Sequence, residues 1–399
     1  MTTPSARDDT IYLDHAATTP VDPEVLSVML PYFSERYGNP SSVYRLGQEG
    51  RAALDRARGS VATALGCRPD EIIFTSGATE SNNLALKGVA WQRRFGRDAD
   101  APPPHVVTST IEHHAVLHAA RSLEQQGFAV TYVGCDEDGL IPAAAIAAAI
   151  RPETCLISVI YANNEVGTIQ PLTEIAAIAN AHGIPFHTDA VQAAGALSLR
   201  ANELGVDLLS LSAHKFYGPK GVGLLYVRKG TPIRFQQDGG GQEAGRRGGT
   251  ENVPLVVGLA AALEKAEWLR EASNARSASL RDQLLVGIRE AFPEVQVNGP
   301  LDPERRLANN LNLAIAGIEG ETVLLGLDMQ GVAASAGSAC TTGNSEPSHV
   351  LRAMGYSDER CRASLRFTVG RDNTIAEIDE AVDVIVETVN RARGLAGVA

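Results

Sequence analysis

The stretch VDLLSLSAHKFYGPKGVG, Val206 to Gly223, decides how the chain folds. Its first half mixes leucine and valine with small polar residues, the composition of a strand buried inside an α/β sheet. The run ends at Ser212, Ala213, His214 and Lys215, and Gly218 and Pro219 follow. That order predicts a turn at the carboxyl end of the strand, the edge where open α/β sheets hold their ligands. Beside apolar walls and other cations a lysine there is disfavoured as the ammonium. A neutral amine, able to form a Schiff base with an aldehyde, becomes populated. A surface lysine capping a loop is the ordinary alternative, and the other strand ends weigh against it.

Strands alternate with helices over most of residues 70 to 230, which predicts a mainly parallel sheet covered on both faces. EIIFTSGATESNN reads as a strand over Ile72, Ile73 and Phe74, then a polar glycine turn opening a helix. Amides and the positive end of a helix meet there and suit a phosphate, unless Ser76 or Thr79 merely caps the helix. Val106 to Ile111 run out into Glu112, His113 and His114, and Leu156 to Tyr161 into Asn163 and Asn164. IPFHT delivers Asp189, with Gln192 one helical turn beyond. Thr79, His113, Asn164, Asp189 and Lys215 thus belong to one sheet edge and can converge.

Ahead of this sheet, Asp22 and Pro23 open a helix that should carry Val25, Val28, Met29 and Phe33 inward and kink at Pro31. After it comes the glycine-rich DGGGQEAGRRGGTEN, then a helix from Pro254 through Leu263 and Leu269. A separate helix places Leu280, Leu284, Leu285 and Ile288 on one side. A strand at Leu311 to Ile315 and a last helix follow, the latter opened by a Thr374 and Glu377 capping box. The division expected is residues 1–20 as an N-terminal segment packing with the small domain, 21–265 as a large cofactor-binding domain, and 266–399 as a small domain. In SLRFTVGR, Arg366 alternates with Leu365 and Phe367, so it faces away from them and either clamps a carboxylate or makes a surface ion pair.

The chain has 399 residues, of which 44% are hydrophobic and 21% charged, an ordinary globular balance. Its net charge of −12 provides no general surface for nucleic acid. MTTPSARDDT is polar, and the longest apolar stretch, Val253 to Leu263, falls short of the roughly 18 residues that span a bilayer. No membrane association and a cytoplasmic location are expected. Cys67, Cys135, Cys155, Cys340 and Cys361 show neither a CxxC pair nor metal spacing, so no metal site or disulfide framework is expected. Cys340 stands apart because serine, threonine, glycine and alanine surround it in ASAGSACTTGNSEPSHV, a loop composition without an apolar wall.

A strand-end lysine, an acid, a phosphate-binding turn and a flat stacking histidine are the parts that hold pyridoxal 5′-phosphate. The stretches YLDHAATTP, FTSGATESNN, IEHHAV, NNEVGT, HTDAVQAAG, SAHKFYGPKGVG, GRRGGTEN and SAGSACTTGNSEPSHVLRAMG together resemble the cysteine desulfurases of the nitrogen-fixation and iron-sulfur housekeeping branch. The resemblance runs from Ile11 to Asp379. It implies the fold type I pyridoxal-phosphate transferase fold, α/β with a mainly parallel central sheet and a smaller α+β C-terminal domain. It also implies a homodimer with the active site at the subunit boundary.

By that resemblance Lys215 would carry the cofactor and move protons, Asp189 would hold the ring nitrogen, and His113 would stack on the ring. Gln192 and Asn164 would hold the ring hydroxyl region. Ala78, Thr79, Ser212 and His214 would bind the phosphate, with Thr250 contributed by the other subunit. Arg366, with Asn39, would hold the carboxylate of L-cysteine. Cys340 would take the sulfur as a persulfide and leave alanine, and it could ligate a transferred iron-sulfur cluster transiently. The acceptor implied is an iron-sulfur scaffold or a tRNA-thiolation protein. Thr341 and Thr342 depart slightly from the usual threonine and serine, and the spacing from Cys340 to Glu346, Pro347 and Ser348 matches the branch with the longer loop. A selenocysteine lyase and a catalytically silent assembly scaffold are the alternatives.

Overall fold

The computed structural model describes residues 10–98, 100–336 and 347–395. Its main sheet comprises β2 (Ile72–Thr75), β3 (His105–Ser109), β4 (Ala129–Val133), β5 (Thr154–Ser158), β6 (Phe186–Asp189), β7 (Leu208–Ser212) and β8 (Gly223–Val227). They lie in the order β2-β8-β7-β6-β5-β3-β4. The pairings β3 with β4 and β5, β5 with β6 and β6 with β7 are parallel, and only β8 opposes its neighbours. Alternation within strands sends side chains to opposite faces of the sheet, into two clusters of its core. Ile72, Phe74, Leu209 and Leu211 enter one, while Ile73, Leu208 and Leu225 enter the other.

The strand order also locates a crevice. From β3 the chain steps outward to β4, then returns to lay β5 on the opposite side of β3. Loops leaving β3 and β5 at their carboxyl ends therefore diverge, and a gap opens between them. His113 follows β3 and Asn164 follows β5.

A second core forms around the antiparallel order β12-β10-β9, with β9 at Gln296–Val297, β10 at Asn310–Ala314 and β12 at Ser364–Thr368. Beside it β1 (Ile11–Tyr12) pairs in parallel with β11 (Val332–Ala333). The final helix, Ile375–Leu395, opens with the expected capping box. Its Thr374 amide donates to Glu377 Oε2 at 2.6 Å and the Glu377 amide to Thr374 Oγ1 at 3.2 Å.

Two expectations need correction. Helices expected separately around Leu263 and Leu284 are one helix, Val253–Ala291, of 39 residues. The segment between them, AEWLREASNARSAS, holds neither glycine nor proline, so nothing stops the helix. Val256, Leu259 and Leu263 enter the larger core, and Leu280, Leu284 and Ile288 the smaller. The position 265/266 falls inside this helix. At the other end of the chain Asp22 caps Pro23–Met29 and Pro31 starts a separate turn, Pro31–Ser34, as the proline requires. Val25 and Met29 are buried, but Val28 and Phe33 are 45% and 56% exposed. Val28 lies off the row that joins Val25 to Met29, and the break at Leu30 re-aims Phe33. No helix among the described residues is long and apolar enough to cross a membrane.

Candidate active site

Thr79, His113, Asn164, Asp189 and Lys215 all line one cavity of 620 Å³. Ala78, Gln192, Ser212, His214 and Arg366 line it as well. Asn39 and Thr250 do not. They share a separate cleft of 340 Å³, where Asn39 Oδ1 accepts the Ser41 amide at 2.9 Å. Cys340 lies outside the described residues.

At one end of the cavity the helix Ala78–Arg94 begins at Gly77 with no side-chain cap. Neither Ser76 nor Thr79 caps it. The Ser76 hydroxyl donates to Glu80 Oε2 at 2.6 Å instead. The first amides of a 17-residue helix are thus left to an anion. Gly77 has φ +153°, and a Cβ on Gly223 would lie 2.7 Å from Gly77 Cα, so the turn needs glycine on both sides of its contact with β8. Ser212 and His214 bring the end of β7 to the same region. Burial first, then Lys215 and Lys220, push the His214 pKa down to about 4, so its ring is neutral.

Asp189 ends β6 and is buried. Its Oδ2 accepts Asn82 Nδ2 at 2.6 Å and its Oδ1 the Val191 amide at 3.0 Å. Each carboxylate oxygen keeps a second lone pair for a further N–H. His113 caps the helix His114–Gln125, its Nδ1 accepting the Ala115 amide at 3.1 Å, which leaves the proton of the neutral ring on Nε2. Burial lowers its pKa, with Asp189 opposing and Lys215 reinforcing that effect. Lys215 ends a short 3-10 turn after β7, and its Nζ donates to the carbonyls of Ala16 and Ala17, each at 2.6 Å.

Arg366 reaches the cavity from β12 and is 2% exposed, so the surface ion pair is excluded. Its Nη2 pairs with Asp14 Oδ1 at 2.7 Å and its Nη1 with the Asn164 carbonyl at 2.9 Å, while its buried Nε has no partner among the described residues. A buried, charged N–H without a hydrogen-bond partner is costly. Behind His113, Glu112 is buried completely. Ser109 and the Ile160 amide hold its Oε1 at 2.6 and 2.9 Å, and Oε2 has no partner among the described residues. Burial, strengthened by Asp189, drives its pKa up to about 8.

The donor set fits pyridoxal 5′-phosphate. An uncapped helix end suits the phosphate, a buried acid with spare lone pairs suits a protonated ring nitrogen, and a lysine amine lies in the same wall. Residues 11–380 match the family model described as Aminotransferase class-V. The chain belongs to the class-V aminotransferase family. A cysteine desulfurase of Methanosarcina thermophila, IscS, is 48% identical over 391 residues, covering 98% of this chain and 95% of that one. A solved NifS-like protein superposes with TM-score 0.88 at 37% identity, over 96% of this chain and all of the other. SspA, solved in complex with cysteine, does so with TM-score 0.80 at 38% identity, over 91% and 99%. Class-V aminotransferases depend on pyridoxal 5′-phosphate, and the fold type I architecture expected from the sequence is the one observed.

Several groups that shape this class-V site were missed in the sequence. Asp14, Ala16 and Ala17, in the stretch YLDHAATTP that was given no site role, hold Arg366 and Lys215. Asn82 holds Asp189, and its place one helical turn after Ala78 was the available signal.

Proposed function

We propose that this chain is a cysteine desulfurase, taking sulfur from L-cysteine to give L-alanine and a persulfide on Cys340. The observation that carries the reading is that Arg366, Lys215 and Asp189 line one cavity. A carboxylate in that cavity would find in the Arg366 guanidinium a partner for a charge-assisted hydrogen bond. Pyridoxal phosphate, when bound, supplies a sink for the electrons of the bond broken at the substrate Cα. Asp189 holds the ring proton that keeps this sink electron-poor, and Asn82 and the Val191 amide keep Asp189 in place. His113 offers a neutral ring for stacking, with Gln192 and Asn164 beside the ring hydroxyl. The Ala78 and Thr79 amides, Ser212 and His214 hold the phosphate. Lys215 Nζ attaches the cofactor and moves protons at the substrate.

A homodimer is part of the proposal. Leu30, Phe33, Tyr37 and Tyr44 are all more than half exposed, an apolar run that supports burial against a second copy. Thr250 would then complete the other subunit's phosphate site, and Asn39, on the same cleft, would meet substrate across that boundary. The second core, which holds Leu280, Leu313 and Ile378, supports a small domain over 266–399 beside a large one over 21–265, with residues 1–20 assigned to the small one through Ile11 and Leu13. The persulfide would pass to an iron-sulfur scaffold or a tRNA-thiolation protein in the cytoplasm, where Cys67, Cys135, Cys155 and Cys361 remain free thiols.

With L-cysteine and a thiol reductant, the enzyme should release sulfide and alanine. The Cys340→Ala variant should keep its cofactor absorbance and lose that turnover. Undiminished sulfide release from the variant would remove Cys340 from the reaction.

A further inference from the structure

Lys215 borders a second cavity. Gln192 and Lys215 line both it and the first. The second has a volume of about 80 Å³, and roughly 10–15 Å³ houses one water, so it holds several. Its wall includes His15, Thr19, Ser273, Asn274 and Asn309, which supply the donors and acceptors that ordered water requires. Farther out, Tyr217, Leu269, Ser273 and Arg371 line this cavity together with an open groove of 940 Å³. Groove, polar cavity, Lys215 and cofactor cavity therefore follow one another in series.

The mouth between groove and cavity is held in place. Tyr217, two residues after Lys215, has φ +64°, a strained value for a residue with a side chain. Its amide donates to Thr19 Oγ1 at 2.7 Å, its Oη accepts the Arg371 amide at 2.9 Å, and the Arg371 guanidinium lies 3.8 Å from its ring centre. Contacts from two distant parts of the chain thus maintain a backbone shape that the turn would not keep unaided.

We propose that the second cavity is a water-filled path along which Lys215 exchanges protons with bulk solvent. The inference rests on the reading of Lys215 as the group that moves protons. An N–H bond of the Lys215 ammonium breaks as an O–H bond forms on the neighbouring water, and the proton passes from water to water into the groove. The reverse sequence restores a proton to the amine, with no change in oxidation state. Cofactor and substrate, when bound in the first cavity, would displace water from it. Without a second route, Lys215 could exchange its N–H hydrogens with solvent only after the ligand had left the first cavity.

The test uses holoenzyme and L-alanine carrying deuterium at Cα, in ordinary water, with loss of deuterium followed by NMR. Ser273→Leu, on the half-buried side of a long helix, fills the cavity and should slow washout about tenfold or more. Ser273→Ala removes one polar partner but leaves the space open, so it should slow washout less than Ser273→Leu, and a slowing as large as that of Ser273→Leu would overturn the path. Lys215→Ala should stop washout. Normal washout in Lys215→Ala would sink the reading beneath the proposal. Arrested washout in Lys215→Ala with wild-type washout in Ser273→Leu would keep that reading and overturn the path. High-resolution crystals of the holoenzyme supply a readout independent of turnover. Ordered waters from groove to Lys215 are expected in the wild type and their displacement in Ser273→Leu, whereas a dry wild-type cavity contradicts the proposal.

Discussion

The two walls of the cofactor cavity are built by opposite means. One is a sheet edge, where Thr79, His113, Asn164, Asp189 and Lys215 are each delivered by the strand just before them. The other is a single side chain, Arg366, held from far away in sequence by Asp14 and the Asn164 carbonyl. A sheet edge is rigid and depends on local order. The Arg366 wall depends on the packing of the second core against the N-terminal segment, so substitutions there should disturb substrate capture before chemistry.

The largest effect separates the walls directly. Lys215→Ala should lower kcat by about a thousandfold or more, as loss of a proton-transfer group does, and near-normal kcat would contradict its place at the reacting centre. Arg366→Ala should act on kcat/KM for L-cysteine, by about a hundredfold, the weight of a charge-assisted pair. Arg366→Lys should recover only part of it, because a point charge replaces a fork. A drop in kcat alone would mean that the two walls do not divide the work as described.

Smaller effects appear in stability against pH. In the sheet-edge wall, folding holds the Glu112 proton up to about 8, whereas the unfolded chain releases it near 4.5. Between those values the folded state binds the extra proton, so this group makes wild-type stability fall as pH rises. Glu112→Gln carries no such proton. Its stability relative to wild type should improve by a few kcal/mol across that window, and a flat difference in chemical denaturation would refute the buried neutral acid. The other wall is tied down through Asp22. Burial alone would raise its pKa, but Lys265, the Glu24 amide and Arg371 together bring it down to about 2. The stabilisation is present above its ordinary value of 3.8 and is lost as pH falls towards 2. Asp22→Asn should cost about 2 kcal/mol at neutral pH and progressively less under acid, measured by thermal unfolding. A pH-independent cost would indicate lost capping alone.

The contrast also explains what the amino-acid order revealed. Apolar runs ending in Thr79, His113, Asn164, Asp189 and Lys215 were legible because a parallel sheet collects strand ends on one edge, so local signals suffice. The direction of Arg366 followed from alternation with Leu365 and Phe367, but its partner Asp14 did not, since 352 residues separate them. Asn82 was hidden inside a helix start that reads the same whether it binds phosphate or not. The unbroken helix Val253–Ala291 escaped because two apolar faces, each periodic, serve two different cores. Asn39 and Thr250 illustrate another limit, for nothing in their local order signals that they share a cleft apart from the cofactor cavity.

The account turns on one covalent attachment. Borohydride reduction of the holoenzyme followed by peptide mapping should place the pyridoxyl label on the peptide containing Lys215 and on no other. A label on a different lysine, or no label, would contradict the reading of the sheet edge from which the proposed chemistry is drawn.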